Sequence, residues 1–367
     1  MIVDWAAPGT DCGGRRAGTF AGELVRIRRA SVEAPAKAPI ETHRKIRTMA
    51  APRDILKLAR PGDWTKNSFV LLAFVFWAAN AVRTQTTDAI VEKAIAAALA
   101  FAAFCFVASG FYCVNDAMDA EKDRQHPVKC RRPVAAGRIS RTSAIGIGVV
   151  LIALSVVLAG LVSSTLVLAV ALYAVLQVAY NGGLKRVAFV DVATIATGFG
   201  LRAAAGAIAS AVPISVWLVL CVFFLCLYLG FIKRMCDLVS AERAGSQWKS
   251  PAGYRGREEL QWLLGLSAVM TVSMYLSYAL SDHAWTLFGP RATGLALLTP
   301  LVLVAIHRFW RRANEGSSDS PLDALRSDPV VLSAILCFLG LLGLVLFAPE
   351  AGAILNGVFL QQGAPTS

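Results

Sequence analysis

The stretch NDAMDAEKDRQHPVKCRRPVAAG occupies residues 115–137 and directly follows an apolar run, residues 94–114, that is long enough to cross a bilayer. Asp116, Asp119 and Asp123 stand at positions i, i+3 and i+7, so they share one face of a helix if the helix continues past the apolar run. Carboxylates this close together repel one another unless a cation neutralises them. If the three side chains splay into solvent instead, the segment is an ordinary acidic helix end.

Basic residues follow these carboxylates at once, with Lys129 and Arg132 among them. Hard oxygen ligands favour Mg²⁺, which usually binds a few carboxylates together with substrate phosphates. Carboxylates beside cations are the chemistry that a metal-diphosphate site requires. The stretch therefore predicts a magnesium site whose candidate ligands are Asn115, Asp116, Asp119 and Asp123.

The rest of the chain is unusually apolar for its length. Of its 367 residues 56% are hydrophobic and 16% are charged, and its mean hydropathy is +0.58, whereas a soluble domain carries about 25% charged residues. Backbone groups in lipid must be hydrogen-bonded within the chain, so each span is expected to be a helix. We predict an all-α, polytopic membrane helix bundle with nine transmembrane helices, at residues 67–83, 94–114, 143–161, 164–181, 189–210, 213–231, 260–280, 292–309 and 329–348.

Positive charge is concentrated on one side of these spans. The N-terminal segment and every second loop hold 32 of the 36 Lys and Arg residues, and the opposite loops hold three. Such a bias predicts that the N-terminus is cytoplasmic and, with nine spans, that the C-terminus is outside. Membrane topology thus accounts for the net charge of +12, and no nucleic-acid partner is expected. The oligomeric state, including a homo-oligomer, stays open.

The two ends of the chain differ from its apolar middle. Residues 1–50 are polar and irregular and contain no apolar core of a secretory signal. We expect a disordered cytoplasmic arm over residues 1–48, a transmembrane domain over 49–350 and a short C-terminal tail over 351–367.

A second polar segment, YNGGLKRVAFVDV, covers residues 180–192. Asp191 begins an apolar span, and a carboxylate at such a depth is a functional candidate. Lys185 lies just before it on the same side of the membrane. Arg202 follows about three helical turns later, so an Asp191–Arg202 ion pair is an open alternative.

Two further basic residues, Lys233 and Arg234, stand at the end of the sixth span. They either grip a phosphate or extend to lipid headgroups as ordinary membrane-flanking cations. The chain contains no P-loop and no GxGxxG fingerprint, and its eight cysteines show no CxxC spacing. A motor ATPase and a Rossmann redox enzyme are therefore not expected.

The acidic stretch at 115–137, with YNGGLKRVAFVDV and GFIKRMCDLVSAER (residues 230–243), resembles the UbiA superfamily of intramembrane prenyltransferases. It is most similar to the branch that makes decaprenylphosphoryl-5-phosphoribose, which has rhizobial, nodulation-linked relatives. One departure is Val187, where many aromatic prenyltransferases have the first acid of a DxxxD motif. The resemblance implies a helix bundle around a central cavity open to lipid, and a bacterial inner-membrane enzyme with a cytoplasmic site.

The resemblance also implies an activity and a set of roles. It implies Mg²⁺-dependent transfer of 5-phosphoribose from 5-phosphoribosyl 1-diphosphate to a polyprenyl phosphate. The product is a precursor of arabinosyl donors for cell-envelope or nodulation-factor glycosylation. Catalytic roles fall to Asp116, Asp119 and Asp191. Phosphate-binding roles fall to Lys129, Arg132 and Lys185 for the donor, and to Lys233 and Arg234 for the acceptor.

Two alternatives stay open on the residues alone. One is transfer of a prenyl group from its diphosphate to an aromatic acceptor, because the same acidic motif serves both reactions. The other is a lipid transporter without chemistry, which Gly- or Pro-interrupted helices in paired halves would favour. No such interruptions are expected from the sequence.

The charge bias makes a topology test direct. A reporter that is active only in the cytoplasm should be active when it is fused to the N-terminus. A reporter that is active only outside should be active when it is fused to the C-terminus. Paired fluorescent-protein and alkaline-phosphatase fusions would measure this. A periplasmic N-terminus would contradict the predicted orientation.

Overall fold

A computed structural model describes residues 51–348, apart from 127, 214, 246, 247, 249, 251 and 317–326. The expected arm, 1–48, and tail, 351–367, lie outside the described residues. The described part contains helices and no strand. Its α-helices are α1 Pro52–Ala59, α2 Leu72–Thr84, α3 Thr87–Arg124, α4 Arg141–Val162, α5 Ser164–Gly182, α6 Val190–Ala209, α7 Val216–Arg243, α8 Arg257–Ala279, α9 Asp282–Phe288, α10 Ala292–Leu297, α11 Thr299–Glu315 and α12 Pro329–Phe347.

The membrane-bundle prediction is confirmed. Within the described residues eight helical segments are long and apolar enough to span a bilayer, and a bent pair raises this number to nine. The first span, Pro61–Thr84, begins with a 3₁₀ segment, Pro61–Leu71, that leads into α2. The protein is a multi-pass, all-α membrane protein.

The eighth predicted span, residues 292–309, is not one straight helix. The segment Asp282–Leu297 meets α11 at an angle of 45°, with the break at Leu298. Pro300 explains the break, because proline has no N–H to donate and disfavours helical geometry in the residue before it. Among the described residues this is the single pair of helices that is long and apolar enough to span a bilayer together but is bent. The paired interruptions of a transporter are therefore not found there.

Two helices extend well beyond the predicted spans. α3 continues for ten residues past the apolar run and carries the acidic motif on its last turns, so this motif lies on a helix rather than in a loop. α7 likewise continues to Arg243, which places Lys233 and Arg234 within a helix. The expected loops at both places begin later than predicted.

The helices α3 and α6 form the interior of the bundle. In the most apolar stretch of each of these two helices, 56% and 61% of the residues are buried. In the other six single spans the buried share is between 22% and 33%. Glycine permits the closest contacts. A Cβ on Gly148 of α4 would lie 2.8 Å from the carbonyl oxygen of Gly110 on α3, and a Cβ on Gly206 of α6 would collide with the backbone of Val70.

The α3–α4 contact predicts a difference between two glycines of α4. Gly148→Ala should lower the free energy of unfolding by about 1–3 kcal/mol, because the added methyl group meets backbone that must move. Gly146→Ala is the matched control, since nothing lies within 4 Å of its added Cβ. Thermal unfolding in detergent would measure both, and equal melting temperatures would contradict the close contact.

Candidate active site

The last turns of α3 bring two of the predicted carboxylates together through arginine. Asp116 and Asp123 are 3% and 5% exposed. Nη1 of Arg132 donates to Oδ1 of Asp116 at 3.2 Å and to Oδ2 of Asp123 at 2.8 Å. Nη2 of Arg60 donates to the same Oδ1 of Asp116 at 2.7 Å. Two cations therefore compensate two buried carboxylates.

Arg60, which the sequence analysis did not single out, occupies a strained position. It joins α1 to the 3₁₀ segment with φ 52° and ψ 60°, a left-handed conformation uncommon for a residue with a side chain. Its guanidinium lies 4.9 Å from the ring centroid of Tyr112, one helical turn before Asp116. The backbone turn thus places the Arg60 charge over α3.

Asp119 and Asn115 are partly exposed on the same helix. Neither side chain forms a hydrogen bond or ion pair with another described residue. No three His, Cys, Asp or Glu side chains are grouped to hold a metal ion among the described residues. The three carboxylates thus do not converge on one point. The oxygen donors still suit Mg²⁺, which needs only one or two carboxylates when phosphates and water complete its octahedron.

Asp191 forms a second buried acidic centre at the start of α6. It is 0% exposed, and its Oδ2 accepts from Nε and Nη2 of Arg234 at 3.0 and 2.9 Å. The Tyr254 hydroxyl donates to Oδ1 of Asp191 at 2.5 Å and accepts from the Phe189 N–H at 3.0 Å. Burial, reinforced by Asp191, raises the pKa of Tyr254 above its usual range, so the phenol stays protonated and remains a donor.

The alternative ion pair between Asp191 and Arg202 is wrong. Arg202 donates from Nε to Asn67 Oδ1 at 2.7 Å, from Nη1 to the Gly198 carbonyl at 2.8 Å and from Nη2 to the Tyr173 hydroxyl at 2.9 Å. The side chain of Arg234, on the neighbouring helix, takes the place beside Asp191. Sequence spacing along α6 cannot show a partner that comes from α7.

A cavity lies among the first 3₁₀ segment, α3, α5 and α6, each of which contributes residues to its wall. Tyr112, whose ring carries the Arg60 guanidinium, lines one part, and Tyr180, which is hydrogen-bonded to Arg234, lines another. Arg202, Lys66 and Gln177 also contribute to its wall. The cavity wall therefore includes one residue in contact with Arg60 and another in contact with Arg234.

The other predicted phosphate-binding residues differ in their surroundings. The side chains of Lys129 and Lys185 form no hydrogen bond or ion pair with the described part of the chain. Nζ of Lys233 lies 2.6 Å from Oδ1 of Asp237, so this lysine already has an anionic partner. Nothing in these contacts assigns a phosphate to any of them, and the assignments stay predictions.

Sequence reasoning missed Arg60, Tyr254 and the polar wall of the cavity. Arg60 precedes the first span in the stretch LARPGDW, where it resembles any membrane-flanking cation. Tyr254 lies in the polar segment before α8, about sixty residues from its partner Asp191. The available signal was Arg202, since it is an arginine in the middle of a predicted span and not at its end.

Comparison with known proteins identifies the family. The model of the UbiA prenyltransferase family matches residues 69–326. The chain belongs to this family. It is therefore a transferase. The decaprenyl-phosphate phosphoribosyltransferase of Corynebacterium glutamicum is 35% identical over 281 residues, which cover 76% of this chain and 82% of that protein.

Two further matches extend the comparison. The nodulation protein NoeC of Azorhizobium caulinodans is 34% identical over 42% of this chain and 51% of its own length, so the expected rhizobial relatives exist. A UbiA homolog from Archaeoglobus fulgidus, solved with DMAPP and Mg²⁺, is 18% identical with a TM-score of 0.56. It covers 83% of this chain and 99% of its own, and this likeness supports the shared fold.

Arg132, which bridges Asp116 and Asp123 in the first acidic centre, predicts an effect on stability. Arg132→Ala should lower the free energy of unfolding by about 1–3 kcal/mol, because Asp116 and Asp123 lose the cation between them. Arg131→Ala is the control, since this neighbouring side chain is exposed and contacts no described residue. Thermal melting of both variants in detergent would measure the difference, and an unchanged Arg132→Ala variant would contradict the bridge.

Proposed function

We propose that this protein transfers 5-phosphoribose from 5-phosphoribosyl 1-diphosphate to a polyprenyl phosphate. The observation that carries the proposal is 35% identity, over most of both chains, to a protein named decaprenyl-phosphate phosphoribosyltransferase. The site is consistent with it. A donor with phosphates at both ends needs more cations than one diphosphate does. Arg202 lines the cavity, and Arg60 and Arg234 contact residues that line it.

The proposed step is a displacement at C1 of the ribose. A phosphate oxygen of the acceptor forms the new bond to C1, and the C1–O bond to the diphosphate breaks. The diphosphate leaves with the bonding electrons, and C1 acquires oxocarbenium character as it does so. The acceptor is already an anion, so the step needs no strong general base.

Asn115, Asp116, Asp119 and Asp123 are the residues that would hold Mg²⁺. The ion supplies positive charge to the departing diphosphate. Asp119 and Asn115 are the ligands without a competing partner in the described chain. Arg132 and Arg60 hold the Asp116 carboxylate in place and bring two positive charges beside it.

Asp191 acts through Arg234 in this proposal. Both of its oxygens are occupied, one by the Arg234 guanidinium and the other by the Tyr254 hydroxyl. It is therefore a positioning residue that fixes the Arg234 charge beside Tyr180 at the cavity. Lys129 and Lys185 remain candidates for donor phosphates, and Lys233 and Arg234 for the phosphate of the acceptor.

The membrane places the two substrates on different routes. The soluble donor enters from the cytoplasm, where the positive charge of the loops lies, and the polyprenyl tail stays in lipid beside the bundle. The protein then belongs to a bacterial inner membrane with its N-terminus and active site cytoplasmic. Its product would feed arabinosyl donors for the cell envelope or for nodulation factors.

A radiolabel assay on washed membranes tests the reaction. One arm offers labelled phosphoribosyl diphosphate with a polyprenyl phosphate, and the other offers a prenyl diphosphate with 4-hydroxybenzoate. We expect Mg²⁺-dependent label in a lipid from the first arm, abolished by a chelator and restored by added Mg²⁺. Label in the aromatic product alone would replace the proposed reaction with aromatic prenylation.

The ligand assignment predicts a loss in a single variant of α3. Asp119→Asn should lower transfer by at least about 10- to 100-fold and raise the Mg²⁺ concentration needed for half-maximal rate. Glu121→Gln is the matched control, because this side chain is exposed on the same helix and its ion pairs among the described residues are with Arg124 and Arg141. Full activity and an unchanged Mg²⁺ dependence in Asp119→Asn would remove Asp119 from the metal site.

A further inference from the structure

Arg202 is a cation without an anionic partner inside the membrane bundle. It is 7% exposed, and the three groups that accept its hydrogen bonds are an amide, a carbonyl and a phenol. Its guanidinium also lies 4.6 Å from the ring centroid of Tyr173 and 5.1 Å from that of Phe199. In the described chain no carboxylate neutralises it, in contrast to Arg60, Arg132 and Arg234.

Part of the Arg202 guanidinium is still available to a ligand. The group carries five N–H donors in a fixed plane, and the contacts above use three of them. The remaining donors are on Nη1 and Nη2, the pair that binds a phosphate in bidentate fashion. Arg202 lines the cavity, so its guanidinium lies at the wall that an anion in the cavity would contact.

Gln177 provides a second, independent observation, because its side-chain oxygen needs a hydrogen-bond donor from the ligand. Its Oε1 is buried and has no hydrogen-bond partner among the described residues, although the residue lines the same cavity. A buried amide oxygen without a donor is unfavourable, because it has lost its hydrogen bonds to water. A phosphate dianion offers no donor to this oxygen, whereas a sugar hydroxyl does.

The position of the cavity relates these groups to the first acidic centre. Tyr112 lines it one helical turn before Asp116, and Lys66, paired with Asp63, lies at its wall. Along α6 the lining extends from Thr194 to Arg202, a rise of about 12 Å. The wall of the cavity thus runs along α6 to Arg202 and includes, on α3, a residue one turn from the acidic centre.

We propose that this cavity is the subsite for the ribose 5-phosphate part of the donor. Arg202 binds the 5-phosphate, with Lys66 contributing charge, and Gln177 Oε1 accepts a hydrogen bond from a ribose hydroxyl. The inference rests on the proposed function and adds to it the residues that select a phosphorylated sugar. An isoprenoid tail would satisfy neither Arg202 nor Gln177.

The phosphate of the polyprenyl acceptor is the other source of the same chemistry. Binding experiments with the purified full-length chain in nanodiscs separate the two. The probes are ribose 5-phosphate, inorganic diphosphate with Mg²⁺, and farnesyl phosphate as a short acceptor analogue. The variants are Arg202→Gln and Gln177→Leu, and Arg186→Gln is the control because that side chain is exposed and contacts no described residue.

Arg202→Gln should weaken ribose 5-phosphate binding about 10- to 100-fold, the loss expected for a charge-assisted contact, and leave diphosphate binding unchanged. Gln177→Leu should weaken the same probe about 3- to 10-fold and, like the control, leave diphosphate unchanged. Unchanged ribose 5-phosphate binding in both variants would overturn the proposal. The proposal would also be overturned if the two variants lost farnesyl phosphate binding and kept ribose 5-phosphate binding. Should Arg202→Gln fail to fold, Gln177→Leu alone decides between these outcomes.

The transfer assay separates this inference from the reaction itself. Phosphoribosyl transfer by the wild type with an unchanged KM for the donor in both variants would refute the subsite and leave the reaction standing. Absence of phosphoribosyl transfer, together with Arg202-dependent binding of ribose 5-phosphate, would refute the reaction and leave the subsite standing. If both hold, the KM for the donor should rise in Arg202→Gln while the KM for the acceptor stays unchanged.

Discussion

A carboxylate buried among membrane helices needs a cation beside it, because removing an unpaired charge from water costs several kcal/mol. This constraint shapes the part of the bundle that holds the two acidic centres. Arg132 reaches back from the loop after α3 to Asp116 and Asp123, and Arg234 reaches from α7 to Asp191 on α6. The first contact folds the loop after α3 back onto that helix, and the second joins helices whose paired residues are 43 positions apart, so the buried carboxylates also determine how these segments dock.

Both acidic centres contain a residue with positive φ. Arg60 has φ 52° and bonds to Asp116, while Phe189 has φ 68° and donates its N–H to the tyrosine that holds Asp191. Such conformations cost about 1–3 kcal/mol and persist where the surroundings impose them. The ion pairs and hydrogen bonds described above impose them here. The strained backbone at these two turns thus accompanies the contacts that hold Asp116 and Asp191 in place.

Hydropathy and charge bias were enough to predict a nine-span, all-helical bundle and its acidic motif, since both depend on residue type along one segment. They failed where a contact joins distant segments. Spacing suggested Arg202 as the partner of Asp191, but that position is occupied by Arg234 from the next helix. The apolar run likewise did not show that α3 continues to Arg124, because polar residues end a membrane signal without ending a helix.

The arginines of the site fall into two groups with different consequences. Arg60, Arg132 and Arg234 each face a carboxylate, so their charge is compensated in the protein itself. Arg202 faces only neutral acceptors and aromatic rings, deeper in the bundle and at the wall of the same cavity. Burying a charge in this way is unfavourable unless a ligand supplies the counter-charge. The uncompensated arginine therefore indicates an anionic substrate group at depth, and the buried oxygen of Gln177 indicates that this group carries a hydroxyl beside it.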